Sequence, residues 1–209
     1  MSNYHIKHLE EYYQVYRKSI REPENFWEEI AEEHFVWRKK WNKVLEWDFT
    51  KPEIKWFEGA KLNYAENLLQ RRDDKTAIIF RGEAEIKRQL SYKELFAEVE
   101  KTAAGLGELG VVKGDGIAGF MPNMPESIIA MLATASIGAI WSSSSPDFGI
   151  KGVLDRFTQI EPKVIFAADG QMIIEENYKS VLDSLISNKI IKPIIPNKPC
   201  SSINRPTSL

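Results

Sequence analysis

Cys200 is the chain's one cysteine, so no internal disulfide forms, and a reducing compartment, the cytoplasm, is the expected setting. There is no excess of either charge: Lys and Arg number 28, Asp and Glu 30, for a formal net charge of -2. A nucleic-acid groove or an anionic membrane surface calls for a basic field, so neither partner is expected. Long apolar runs are missing too. The longest, from Ser127 to Trp141, is too short to span a bilayer. The opening, Met1-Ser-Asn-Tyr-His5, lacks the charged-then-apolar profile of a signal peptide. No stretch repeats at solenoid spacing.

What is present suffices for a real core. A chain of 209 residues, 43% of them hydrophobic, suits one large domain or one domain with an extension. Residues 1–75 read as the extension, helical and crowded with Tyr12, Tyr13, Tyr16, Phe26, Trp27, Trp37, Trp41 and Trp47. Acids interleave with the bases there, so these rings are expected to dock polar helices rather than to stack on nucleotides. Glu22-Pro-Glu-Asn-Phe-Trp27 reads as a turn into a helix running through Glu33, with Trp27, Ile30 and Ala31 on one face. Gly59 suits a turn. Asn63 is placed to cap a short helix, with Glu66 completing a capping box.

The pattern changes over residues 76–170. Thr76-Ala-Ile-Ile-Phe80 and the stretch from Ala84 to Leu90 read as a hairpin. Ser91-Tyr-Lys-Glu94 is a capping box that opens a helix carrying Leu95, Val99 and Leu106 on one face, with Gly110 to end it. Gly116 to Met121 is a buried strand. Asn123 to Glu126 has cap-to-acid spacing around Pro125, and the apolar helix from Ser127 to Gly138 should be buried. A strand into Trp141, a serine loop, a helix up to Gln159 and a strand from Lys163 to Ala168 follow. Strands alternating with helices imply an α/β fold with a parallel sheet flanked by helices. Residues 171–209 read as a divergent, partly irregular tail. Tyr178 to Ile186 forms one more expected helix, and prolines and serines punctuate the rest.

Several motifs fail on context. Gly105-Leu-Gly-Glu-Leu-Gly110 spells a dinucleotide fingerprint, but it ends a helix instead of following a strand, so its glycines are not placed at phosphates. No Gly-rich phosphate loop with a following Lys occurs. His5, His8 and His34 show no zinc-ligand spacing. The run from Ser142 to Ser145 has neither elbow glycines nor a base to activate a nucleophile. The stretch Ile140-Trp-Ser-Ser-Ser-Ser-Pro-Asp-Phe-Gly149 remains, as a strand exit, a polar loop and a helix start. Ligands collect at such strand ends, and a helix start offers free N–H groups to an anion. Strand termination and helix capping, by Ser145 or Asp147 with Pro146 in the first turn, would explain the same residues.

Three stretches carry a family resemblance. The first is Ser19-Ile20 with Pro23, Phe26-Trp27, Trp37, Trp41 and Val44-Leu45. The second is Trp56-Phe-Glu-Gly-Ala-Lys-Leu-Asn-Tyr-Ala-Glu-Asn-Leu-Leu69. The third is the loop ending in Ser145-Pro-Asp-Phe-Gly149. Over residues 12–170 the chain resembles acyl-CoA synthetases of the adenylate-forming superfamily, most closely their acetoacetyl branch. The resemblance implies the N-terminal subdomain of that ligase fold. It implies a parent that uses ATP, CoA and magnesium to join a small carboxylate to CoA with release of AMP and pyrophosphate. It places Ser145, Asp147, Phe148 and Gly149, and the turn at Asp169 and Gly170, on the CoA side.

The family's phosphate loop, its adenine and ribose contacts and its adenylating Lys have no counterpart here, and the run from Gln171 to Glu176 lacks the arginines that meet the CoA nucleotide in acetyl-CoA synthetases. The expectation is therefore an amino-terminal piece without catalytic residues or metal ligands, inactive alone. It would be prone to self-association through the surface that faces the missing subdomains. The alternatives are a non-catalytic CoA- or partner-binding module, an acetyl-CoA or propionyl-CoA synthetase-like parent, and a folding unit without activity.

Overall fold

The computed structural model describes residues 6–48, 50–82 and 86–167. They divide into two compact units, the division falling after Ala103. The expected tail helix, the proline-punctuated segment, and Asp169 and Gly170 lie outside the described residues.

The first unit begins with α1 (Leu9–Arg21) and α2 (Pro23–His34). His8 caps α1, its Nδ1 accepting the Glu11 N–H at 3.4 Å. Pro23 opens α2, where its missing N–H removes no helical bond. The buried residues of α2 are Phe26 and Ala31, whereas Trp27, expected on the buried face, is 43% exposed. The aromatics pack as a ladder. Trp37 and Trp41 meet at 5.2 Å, and each meets Phe57, at 5.5 and 5.0 Å. The indole N–H of Trp37 donates to the Ala31 carbonyl, and that of Trp41 to Glu28, so the polar edge of each ring is satisfied.

The extension also contains an antiparallel pair, β1 (Lys43–Trp47) with β2 (Ile54–Glu58), in which Leu45 faces Trp56 and Trp47 faces Ile54. Gly59 takes φ 77°, and a β-carbon there would lie 2.7 Å from Asn42 Nδ2. Asn63 caps α3 (Tyr64–Leu68) as expected, accepting the Glu66 N–H at 3.0 Å. The Glu66 carboxylate takes the Arg38 Nε–H at 3.0 Å.

The expected hairpin is β3 (Thr76–Arg81) against β4 (Lys87–Ser91). At the start of α4 (Tyr92–Glu108) both halves of the capping box form. The Ser91 N–H donates to Glu94 at 2.7 Å, and the Glu94 N–H donates to Ser91 Oγ at 3.2 Å.

In the second unit α4 ends at Gly110, whose φ of 75° lets the Val111 N–H return to the Leu106 carbonyl. The fingerprint-like glycines thus lie at a helix end, as read. β5 (Gly116–Phe120), α5 (Pro125–Ser136), β6 (Ile140–Ser144), α6 (Ile150–Ile160) and β7 (Val164–Ala167) follow. The strands form one parallel sheet in the order β6-β5-β7. Ala118 and Phe120 of β5 pack with Val153 and Phe157 of α6 in a core cluster.

Two expectations need correcting here. Ser142, Ser143 and Ser144 lie within β6, paired with Ala118, Gly119 and Phe120, so the serine run is strand and not loop. The backbone pairing overrides the low strand preference of serine. Asn123 does not cap α5. The cap position is Met124, without a side-chain bond, and Pro125 begins the helix.

Candidate functional site

The carboxyl edge of the parallel sheet is built on a glycine. Gly119 is the penultimate residue of the central strand, paired with Ser143 on one side and Phe166 on the other. A β-carbon on Gly119 would stand 2.5 Å from Cη2 and Cζ2 of Trp141. The indole fills that space and reaches to 6.2 Å from the Phe166 ring, so aromatics of the two edge strands meet over the glycine.

Beyond β6 the chain turns tightly. Ser145 Oγ donates to Asp147 Oδ2 at 2.8 Å, the Asp147 N–H points back to Ser145 Oγ at 3.4 Å, and the Phe148 N–H donates to the Ser145 carbonyl at 3.2 Å. Ser145 and Asp147 thus bind one another and cap nothing. The cap of α6 is Gly149, with no side-chain bond, and Pro146 lies outside the helix. Both capping expectations for this loop are overturned: a two-residue Ser–Asp turn competes for the same oxygens. Phe148 is held from the helix side, with the Arg156 guanidinium 4.1 Å from its ring centre and Arg156 Nη1 donating to the Gly152 carbonyl at 2.9 Å.

A cavity of about 420 Å³ opens at this edge. Met121, Pro122 and Asn123 line it from the end of β5, Ser127, Ile128 and Met131 from α5, and Trp141 with residues 143–147 from β6 and the loop. Its lining mixes apolar surface with hydroxyl and amide groups, and no Lys or Arg is among the described residues that line it. Ser144 Oγ is buried without a hydrogen-bond partner. Its pairing with Phe120 puts that side chain on the sheet face that packs α6.

Of the residues proposed from sequence, Ser145 and Asp147 reach the cavity, Phe148 and Gly149 lead from it into α6, and Asp169 and Gly170 fall outside the described residues. Asn123, Ser127, Met131 and Trp141 were not anticipated as lining. The one signal for them was that two consecutive strand ends of a parallel sheet should border a common crevice.

The clearest electrostatic perturbation of the second unit lies at the opposite, amino edge of the sheet. There Lys163 Nζ donates to Asp115 at 2.9 Å, and the Val112 N–H donates to the same carboxylate oxygen at 2.8 Å. The Lys163 bond first, then that backbone bond, hold the Asp115 carboxyl below the usual carboxylate range.

The acetyl-coenzyme A synthetase N-terminus family matches residues 12–68, and the AMP-binding enzyme family matches residues 65–200. The chain belongs to the AMP-binding enzyme family. It is 42% identical over 167 residues to the acetoacetyl-CoA synthetase of Macaca fascicularis, covering 78% of this chain and 25% of the relative. It is 43% identical over 168 residues to the acetyl-coenzyme A synthetase of Magnetococcus marinus, covering 78% of this chain and 26% of that one. Among solved structures, the acetoacetyl-CoA synthetase from Streptomyces lividans superposes with a TM-score of 0.77 at 34% identity, over 87% of this chain and 29% of the other. The chain spans about a quarter of the length of the curated relatives it matches. The parallel sheet matches the N-terminal part of the adenylate-forming ligase fold, as the sequence implied. Among the described residues no three His, Cys, Asp or Glu side chains are grouped to hold a metal ion, and no helix is long and apolar enough to cross a membrane.

Proposed function

We propose that the chain supplies the CoA-facing amino-terminal part of an ATP-dependent, AMP-forming acetoacetate–CoA ligase. In that reaction a carboxylate oxygen of acetoacetate attacks the α-phosphorus of ATP, and pyrophosphate leaves. The thiolate of CoA then attacks the acyl carbon, and AMP leaves with its oxygen. Residues 1–75 serve as the extension, 76–170 as the α/β subdomain and 171–209 as a divergent tail. Ser145, Asp147, Phe148 and Gly149, with Asp169 and Gly170, lie on the CoA side, in a cytoplasmic enzyme.

The observation that carries this reading is the loop at residues 145–149. In a member of the AMP-binding family it stands at the carboxyl edge of a parallel sheet, beside a cavity, where ligands of open α/β sheets collect. Its Ser-Pro-Asp-Phe-Gly sequence resembles that of the acetoacetyl branch, and this resemblance is what supports acetoacetate as the acyl group. The near-equal identities to an acetoacetyl and an acetyl relative support an acetyl-CoA or propionyl-CoA synthetase-like parent as the second reading.

The described residues offer no metal-ligating group and no cation at the cavity, so in this reading ATP and magnesium are held elsewhere in the ligase. Stabilising the charge that develops on the transferred phosphoryl group is usually the largest catalytic contribution. We therefore expect the 209 residues alone to be inactive. Acetoacetate-dependent ATP–pyrophosphate exchange by the isolated chain would overturn this. Grafting residues 12–167 in place of the matching segment of the Streptomyces lividans enzyme tests the CoA-facing role: retained acetoacetyl-CoA formation supports it, and a chimera that folds but no longer binds CoA overturns it.

A further inference from the structure

We propose that Asp147 is a charge filter for the cavity at the carboxyl edge of the sheet, which takes uncharged, hydrogen-bonding groups and turns anionic ones away. The proposal rests on the reading that this loop meets CoA. It assigns the cavity to the uncharged, amide-bearing arm of that thiol and keeps the phosphates outside.

Three observations lead there. Among the described residues that line the cavity, Asp147 carries the only formal charge. That charge is fixed in place: the Ser145 hydroxyl donates to the carboxylate at 2.8 Å, and the backbone N–H of Asp147 turns back toward the same hydroxyl at 3.4 Å. The remaining lining suits a neutral amphipathic chain. Met121, Ile128, Met131 and Trp141 supply apolar surface, and Asn123 and Ser143 supply donors and acceptors. Such a mixture of apolar wall and a few polar groups is typical of small-molecule sites, and the volume of about 420 Å³ is within their range. An anion entering would lose its hydration, meet no cation among the described lining residues, and face the Asp147 carboxylate. A neutral amide would lose only hydrogen bonds that Asn123 and Ser143 are placed to replace.

The discriminating pair of probes is pantetheine and 4′-phosphopantetheine, which differ by one phosphate, titrated calorimetrically into the 209-residue chain, with CoA as a third titrant. At low salt pantetheine is expected to bind about tenfold more tightly than its phosphorylated form. Asp147→Asn keeps the size and hydrogen-bonding reach of the side chain. It should bring the ratio close to one by strengthening the phosphorylated probe, leaving pantetheine within about twofold. High salt should narrow the ratio in the wild type and not in the variant. Ser143→Tyr and Ile128→Trp obstruct the cavity from two different elements. Both start from exposed positions, and each should weaken pantetheine by about tenfold or more.

A ratio that Asp147→Asn leaves unchanged would overturn the filter, as would pantetheine binding indifferent to both obstructing variants. If CoA still binds in that case, the CoA-side reading stands without the filter. If neither CoA nor pantetheine binds the wild type, the CoA-side reading falls and the filter with it.

Discussion

The Trp141 indole occupies the space that a side chain on Gly119 would need, with two ring carbons 2.5 Å from where the β-carbon would sit. The contact joins the central strand to its neighbour and forms one wall of the cavity. Gly119→Ala should therefore destabilise the fold by about 2 kcal/mol, as overpacking of a filled site does. Urea unfolding measures this. Adding Trp141→Phe should recover part of the loss, since the smaller ring vacates the clash. A fully additive double variant would show that the two positions do not communicate.

The Asp115–Lys163 pair predicts an acid limit. The folded-state carboxyl of Asp115 titrates below its unfolded value because Lys163 and the Val112 N–H bind the ionised form. Between those two values the unfolded chain binds more protons, so this contribution is fully present above about pH 4 and disappears as pH falls through the lower, folded-state value. Chemical unfolding across that range should show a weaker pH dependence in Asp115→Asn than in the wild type. Equal slopes would remove Asp115 from the acid response.

Glu94 behaves alike for a different reason. Its carboxyl is held below the usual range by the Ser91 backbone N–H, then by the Ser91 hydroxyl. Its stabilisation of the α4 start is present above the ordinary glutamate range and is lost as pH falls through the lowered value. Ser91→Ala should relax this, moving the Glu94 carboxyl resonance back toward ordinary titration by NMR. It should also speed amide exchange in the first turn of α4.

Phe148 and Arg156 clamp the loop to its helix across Gly152, where an added β-carbon would stand 3.4 Å from Arg156 Nη1 and 3.5 Å from Phe148 Cδ1. Phe148→Ala should release the loop without unfolding the sheet. Hydrogen exchange should quicken at residues 147–150 and stay unchanged in β5. Uniform quickening would mean that Phe148 supports the whole unit instead.

Much of this fold was legible because its determinants are local. The Ser91–Glu94 box depends on four consecutive residues and formed as read, and so did the glycine stop after α4. The start of α6 was not legible. Ser145, Asp147 and Gly149 all suit a cap, and the choice was made by the Ser145–Asp147 hydrogen bond, which sequence spacing does not rank. The β1–β2 pair escaped notice because its alternation is broken: Val44 and Leu45 are both buried in succession, and Phe57 takes φ 49° inside β2. The loop of the candidate site was visible as a strand exit. The cavity was not, because Asn123, Ser127 and Met131 join it only once β5 and β6 lie side by side.

The strand order has a consequence for synthesis. β5, first of the three to leave the ribosome, ends up flanked by both later ones. It can pair with β6 once Ser144 is free, but its other edge waits for Val164 to Ala167. During that interval one side of the nascent sheet's innermost strand is bare backbone, which makes the pause between β6 and β7 the point in translation where a chaperone would matter most.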